Sequence, residues 1–242
     1  MLLTGGCGQT TKKNIRQKMK LSPELLVRLR TIGKRAASTF ETLRNTYELA
    51  EKCIDVQGDF IECGVGRGSQ IGAMALACQA KEDNRTIWAY DSYQGIPLAG
   101  KHDTLQPGIG KINHNVNVPE KELLKTSGAA VFTVKQVKDH IKEWGLGTMD
   151  IRYIEGWFEN TLPMNKIKKI ALLRLDGDLY SSTKVCLEYL YPKLVKGGYL
   201  IIDDYALTGC RKAVVDYAKT IYPRLLNFHS VEGGMGVVYV KK

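Results

Sequence analysis

The chain has 242 residues, 44% hydrophobic and 25% charged, the make-up of a globular protein long enough to bury a large core. No apolar run approaches the roughly 18–20 residues that cross a bilayer, and the first apolar stretch is too short for a secretory signal. The net charge of +10 is uneven: residues 1–35 hold nine Lys or Arg against the single acid Glu24, which leaves +2 for all the rest.

That basic arm either meets an anionic partner or is a solvated leader. The leader is favoured, because no aromatics are interleaved with the charges as nucleic-acid contacts would want. Residues 1–21 are therefore read as a leader. Ser22-Pro23-Glu24 opens the first helix, with Ser22 as the cap and Pro23 at the first helical position. Apolar residues at helical spacing continue from Leu25 through Ala50, giving one or two helices over 22–57.

From residue 59 the pattern changes to short apolar runs: 59–65, 86–91, 150–155, 170–176 and 198–204. Amphipathic stretches at 69–81, 133–144, 181–194 and 208–222 alternate with them. Such alternation predicts an α/β fold with a parallel sheet covered on both faces. The end of the chain has two runs around a Gly-rich turn and no helix, which predicts a hairpin and a seven-stranded sheet with one antiparallel strand. Residues 95–132 fit no element and are expected to form a lid. None of the six cysteines forms a C-x-x-C pair. Cys63 and Cys78 lie in apolar segments, so reduced core thiols and a reducing, cytoplasmic compartment are expected.

The first strand runs into "ECGVGRGS", an acid followed by Gly64, Gly66 and Gly68 and then Ser69. A dinucleotide fingerprint wants Gly or Ala where Ser69 stands. The glycines let backbone approach a ligand, and the helix starting near Ser69 offers N–H groups to an anion. Glu62 would repel a pyrophosphate but suits an ammonium. The set favours S-adenosylmethionine over NAD. Asp91, 23 residues after Gly68, stands where such folds place a carboxylate for ribose hydroxyls; its plainer role is a turn or cap. Asp176, Asp203 and Asp204 end two later strands. Carboxylates converging there would repel one another unless something cationic sat between them, and oxygen-only ligands suit Mg²⁺ or another hard divalent ion.

The stretches "GDFIECGVGRGS", "AYDSYQGIP", "YIEGWFENTLP", "LLRLDGDLYSST" and "YPKLVKGGYLIIDDY" resemble the macrocin and mycinamicin type of sugar O-methyltransferase from about residue 58 to the end. The resemblance implies a Rossmann-like class I methyltransferase fold over 58–242, with S-adenosylmethionine and Mg²⁺. It places the metal on Asp176, Asp203 and Asp204. It places the cofactor on Glu62, Gly64, Asp91, Ser92 and the Gly156-Trp157 segment, beside Gly66 and Ser69 of the glycine loop. The chain departs from the family at Gly66, where a Trp is common, and over 98–132.

The chemistry then expected is methyl transfer to a sugar hydroxyl, with the ion lowering the hydroxyl pKa and a general base taking the proton. Asp176 and His114 are the catalytic candidates, with His102 as rival. Tyr93, Trp157, Phe158 and Tyr205 either wall the acceptor site or belong to the core. The competing readings are methylation of a catechol-like diol, an NAD-linked oxidoreductase and a nucleic-acid-binding protein. The partners expected are a small-molecule or glycan hydroxyl and a second copy in a homodimer. Nucleic acid is disfavoured, and an anionic partner is left open for the basic arm.

Overall fold

The computed structural model describes residues 20–103, 123–221 and 228–241. Two helices come first, α1 (Pro23–Gly33) and α2 (Phe40–Lys52). The Ser22 and Thr39 side chains cap them by accepting from the Leu25 and Thr42 N–H groups. Both helices pack on α3 (Ser69–Ala80), which follows β1 (Asp59–Cys63). Then come β2 (Ile87–Asp91), α4 (Val134–Glu143), β3 (Ile151–Glu155) and the single-turn α5 (Phe158–Thr161). The chain continues through β4 (Ile170–Leu175), α6 (Tyr180–Leu190), β5 (Leu194–Ile202) and α7 (Thr208–Thr220), and closes with β6 (His229–Ser230) and β7 (Val237–Val240).

The strands form one sheet in the order β3-β2-β1-β4-β5-β7-β6. The first five are parallel, and β7 runs antiparallel to both β5 and β6. This is the seven-stranded arrangement the sequence predicts. Period-2 alternation divides the strand side chains between two cores. Phe60, Ala89, Leu172 and Ile201 join α1 to α4 on one face. Ile61, Tyr90, Leu173 and Leu200 join α5 to α7 on the other.

Two boundaries differ from expectation. The helix over 181–194 stops at Leu190, because Tyr191-Pro192-Lys193 tightens into a 3₁₀ turn. The next strand begins at Leu194 rather than residue 198, with its register shifted between the Leu194 and Tyr199 pairings. The insertion over 95–132 also carries order at its two ends. The Ile96 N–H donates to the Ala129 carbonyl (2.9 Å), Ser127 N–H to Ile96 C=O (2.8 Å) and Leu98 N–H to Lys125 C=O (2.9 Å). The two roots of the insertion therefore pair. Residues 104–122, which include His114, lie outside the described residues.

The chain lays β1, β2 and β3 outward in one direction, then returns to place β4 on the other side of β1. The loops leaving β1 and β4 diverge to opposite faces, and a crevice opens at their carboxyl ends, where ligands bind in such sheets. Cys53, Cys63, Cys78, Cys186 and Cys210 are buried and unpaired, as expected of core thiols. No helix among the described residues is long and apolar enough to cross a membrane.

Candidate active site

The crevice is built from three strand ends. The Asp176 N–H donates to the Cys63 carbonyl (2.8 Å) and the Asp203 N–H to the Leu175 carbonyl (2.8 Å). The ladder thus runs on past the strands and delivers both aspartates to the same edge as Glu62. Gly64 turns there at φ +89°, and a Cβ on it would lie 1.7 Å from the Asp176 carbonyl oxygen. Only glycine lets the two loops close to this distance. Gly66, at φ +52°, faces open space within 4 Å of where its Cβ would be. Its backbone is therefore open to a ligand. Ser69 opens α3 with its Oγ buried and without a partner.

Asp91 ends β2 and holds the glycine loop. Its Oδ2 accepts from the Val65 N–H (2.7 Å) and the Gly66 N–H (3.2 Å), and its Oδ1 from the Tyr93 N–H (2.7 Å). Burial pushes its carboxyl up, against the pull of those N–H groups. Gly156 donates its N–H to the Asp91 carbonyl (2.9 Å), so the Gly156-Trp157 turn sits beside it. The Ser92 hydroxyl is taken up by its own turn, donating to the Gly95 carbonyl (2.9 Å) and accepting from the Gln94 N–H (3.1 Å). Of the aromatic candidates, Tyr93 and Phe158 are core residues, while Trp157 and Tyr205 are half-buried.

Asp176, Asp203 and Asp204 come together: one donor oxygen of each lies within 4.8 Å of the others. The cation expected between them is partly supplied by the chain itself. Arg174, with no exposed side-chain surface, places Nη1 2.7 Å from Asp176 Oδ2 and 2.8 Å from Glu62 Oε1. Its Nη2 lies 2.7 Å from Asp203 Oδ1, an ion pair without hydrogen-bond alignment. Glu62 is fully buried, and its Oε2 has no partner. Burial pushes the Glu62 and Asp203 carboxyls up, and the Arg174 guanidinium against them pulls both back toward the charged form. Burial also raises Asp204, with Asp178 next among the causes. The orphaned Glu62 oxygen is placed to take an ammonium, and the oxygen-only triad suits a hard divalent ion. Both donor sets fit the groups the sequence implies.

Two acids were missed by the sequence reading. Asp178 follows Asp176-Gly177 in the left-handed region at φ +57°, and its N–H donates to Asp204 Oδ2 (2.9 Å). Burial first, and then the charges of Asp176, Asp203, Asp103 and Asp91, push its carboxyl up to about 8. A non-glycine residue in that conformation is a visible mark only once the backbone is known. Asp103 is buried at the start of α6, where it accepts from the Tyr180 N–H (2.8 Å) and the Gly100 N–H (2.9 Å). His102 beside it packs on the Tyr180 ring, centroids 4.3 Å apart. Arg174 was readable as a charged residue inside an otherwise apolar strand, a position arginine takes only when paired.

The profile of the family described as macrocin-O-methyltransferase (TylF) matches residues 10–223. A tetracenomycin-C rhamnosyl 4'-O-methyltransferase of Streptomyces olivaceus is 39% identical over 163 residues, 67% of this chain and 58% of the relative. The mycinamicin III 3''-O-methyltransferase of Micromonospora griseorubida is 37% identical over 164 residues, 67% of this chain and 61% of the relative. The chain thus spans about three fifths of those relatives' length. Among solved structures, the O-methyltransferase NovP superposes with a TM-score of 0.73 at 27% identity, covering 90% of this chain and 98% of NovP. The sheet is that of the Rossmann-like class I methyltransferases, and the chain belongs to the macrocin O-methyltransferase family.

Proposed function

We propose that the protein is an S-adenosylmethionine-dependent O-methyltransferase that acts with a divalent ion on a hydroxyl of a sugar, in keeping with the rhamnosyl-tetracenomycin and mycinamicin III acceptors in its relatives' names. The observation that carries this reading is the placement of the acid triad directly across the switch point from the glycine loop. Glu62 Oε2 takes the cofactor ammonium, and the α3 N-terminus with Ser69 takes its carboxylate. Gly64 and Gly66 let the ligand lie against backbone. Asp91 meets the ribose while fixing the loop, and the Gly156-Trp157 turn borders the adenine. When bound, the ion would lower the pKa of the acceptor hydroxyl and so ease loss of its proton. Asp176, Asp203 and Asp204 would hold that ion, and the carboxylate of Asp178, whose N–H donates to Asp204, receives the hydroxyl proton.

Thermal shift and turnover test the reading together. S-adenosylmethionine should raise the melting temperature and NAD should not. Labelled methyl should appear on a glycosylated acceptor, with loss of transfer in chelator and recovery on adding Mg²⁺. Stabilisation by NAD alone would overturn the proposal.

A further inference from the structure

Arg174 lies on β4 in register with Glu62 on β1, two residues before Asp176 and therefore on the same face of the sheet. Among the described residues it heads the largest fully buried side chains, and the acids paired with it there are Glu62, Asp176 and Asp203, at three strand ends. Glu62 lies on the cofactor side of the cleft. Asp176 and Asp203 lie on the metal side, and their separation from Glu62 is bridged by one planar guanidinium.

We propose that Arg174 is a positioning residue that joins these two sides into one electrostatic unit, so that the charge on Glu62 sets how strongly Asp176, Asp203 and Asp204 hold a divalent cation. The inference rests on the metal reading above and adds a residue outside the acid triad to it. A guanidinium paired only with Asp176 and Asp203 would repel a cation arriving at those same oxygens. Glu62 shares that positive charge and leaves the two aspartates more of their own. The fork geometry is required, because Nη1 spans two carboxylates while Nη2 faces a third. A lysine ammonium at this position keeps the charge but cannot reach all three. In a cleft of low effective dielectric, one charge removed at this range changes ion affinity by about tenfold or more.

Mn²⁺ titrated into the full chain and followed by electron paramagnetic resonance, with no cofactor and no acceptor, tests this without turnover. Wild type should bind Mn²⁺, and Asp204→Asn should weaken binding, which checks the triad alone. Glu62→Gln, which keeps volume and a hydrogen-bonding end, should weaken Mn²⁺ by about tenfold while the protein stays folded. Arg174→Lys should change the bound-Mn²⁺ spectrum as the carboxylates lose their common anchor. If Arg174→Lys fails to fold, Glu62→Gln decides by itself. Asp204-dependent binding that is unchanged by Glu62→Gln would overturn the proposal and leave the triad standing. No binding to wild type would overturn both.

Discussion

Asp103 Oδ1 accepts the Tyr180 backbone N–H at 2.8 Å, so a residue from the root of the insertion caps the helix that follows the Asp176-Gly177-Asp178 loop. The helix has no side-chain cap of its own, since Leu179 stands at the N-cap. The contact is enclosed by Gly209, whose added Cβ would lie 1.7 Å from the same oxygen. The insertion is thereby tied to the helix beside the acid triad.

Asp103→Ala should cost about 1–2 kcal/mol of stability, the worth of a lost cap on a buried N–H. Gly209→Ala should be at least as damaging, because the new methyl displaces the capping carboxylate. Urea unfolding of both variants checks this. Wild-type midpoints in both would remove the insertion root from the structural frame of the site.

Gly64 and Gly66 separate two demands that a glycine-rich loop makes on its residues. Gly64→Ala places a methyl inside the Asp176 carbonyl and should give protein that does not fold. Gly66→Ala meets nothing in the protein and should fold with a loss of about 1–2 kcal/mol for its left-handed backbone. Its methyl would project into the open space where the cofactor is expected, and affinity for S-adenosylmethionine measured by calorimetry should fall at least about tenfold, or ~1.4 kcal/mol. Full affinity in Gly66→Ala would move the cofactor off this part of the loop.

Chelation should abolish methyl transfer and leave the fold intact. Arg174 already pairs with Asp176 and Asp203, so the acids do not need the ion to remain folded. Asp204→Asn should raise the Mg²⁺ concentration needed for half-maximal rate. A melting curve that collapses in chelator would show a structural ion instead.

Much of this was legible in the sequence because each strand and helix is carried by local pattern. The runs at 59–65 and 170–176 are mostly apolar because parallel strands between two helical layers bury both faces. The acids at the strand ends stood out for the same reason: they interrupt those runs. Arg174 interrupts one such run as well, but its role was not readable there. Its meaning depends on Glu62 and Asp203, 112 and 29 residues away, and only the sheet order makes the three neighbours. The paired roots of the insertion were hidden likewise, since Ile96 and Ala129 bond through backbone groups that carry no side-chain signature. Phe158 and Tyr93 were undecided between wall and core because an aromatic near a strand end suits both. Their burial assigns them to the core.

Asp178 should be the general base. Asp178 is held by its own N–H on Asp204, in a left-handed conformation that places it against the triad. His102 spends its ring on Tyr180, whose hydroxyl in turn reaches Asp216 at 3.2 Å. Asp178→Asn keeps the shape and removes the proton acceptor, so kcat should fall by roughly 10²–10⁴-fold with cofactor affinity nearly unchanged. His102→Phe keeps an aromatic ring on Tyr180 without an imidazole, and should turn over at close to the wild-type rate. His114→Ala completes the set, because the sequence alone nominates that residue. Single-turnover rates at saturating S-adenosylmethionine separate the three. Full activity in Asp178→Asn, with loss in His114→Ala, would return the base to the insertion and leave Asp178 as a structural anchor for Asp204. Loss confined to His102→Phe would make the Tyr180 contact a resting place for a catalytic imidazole.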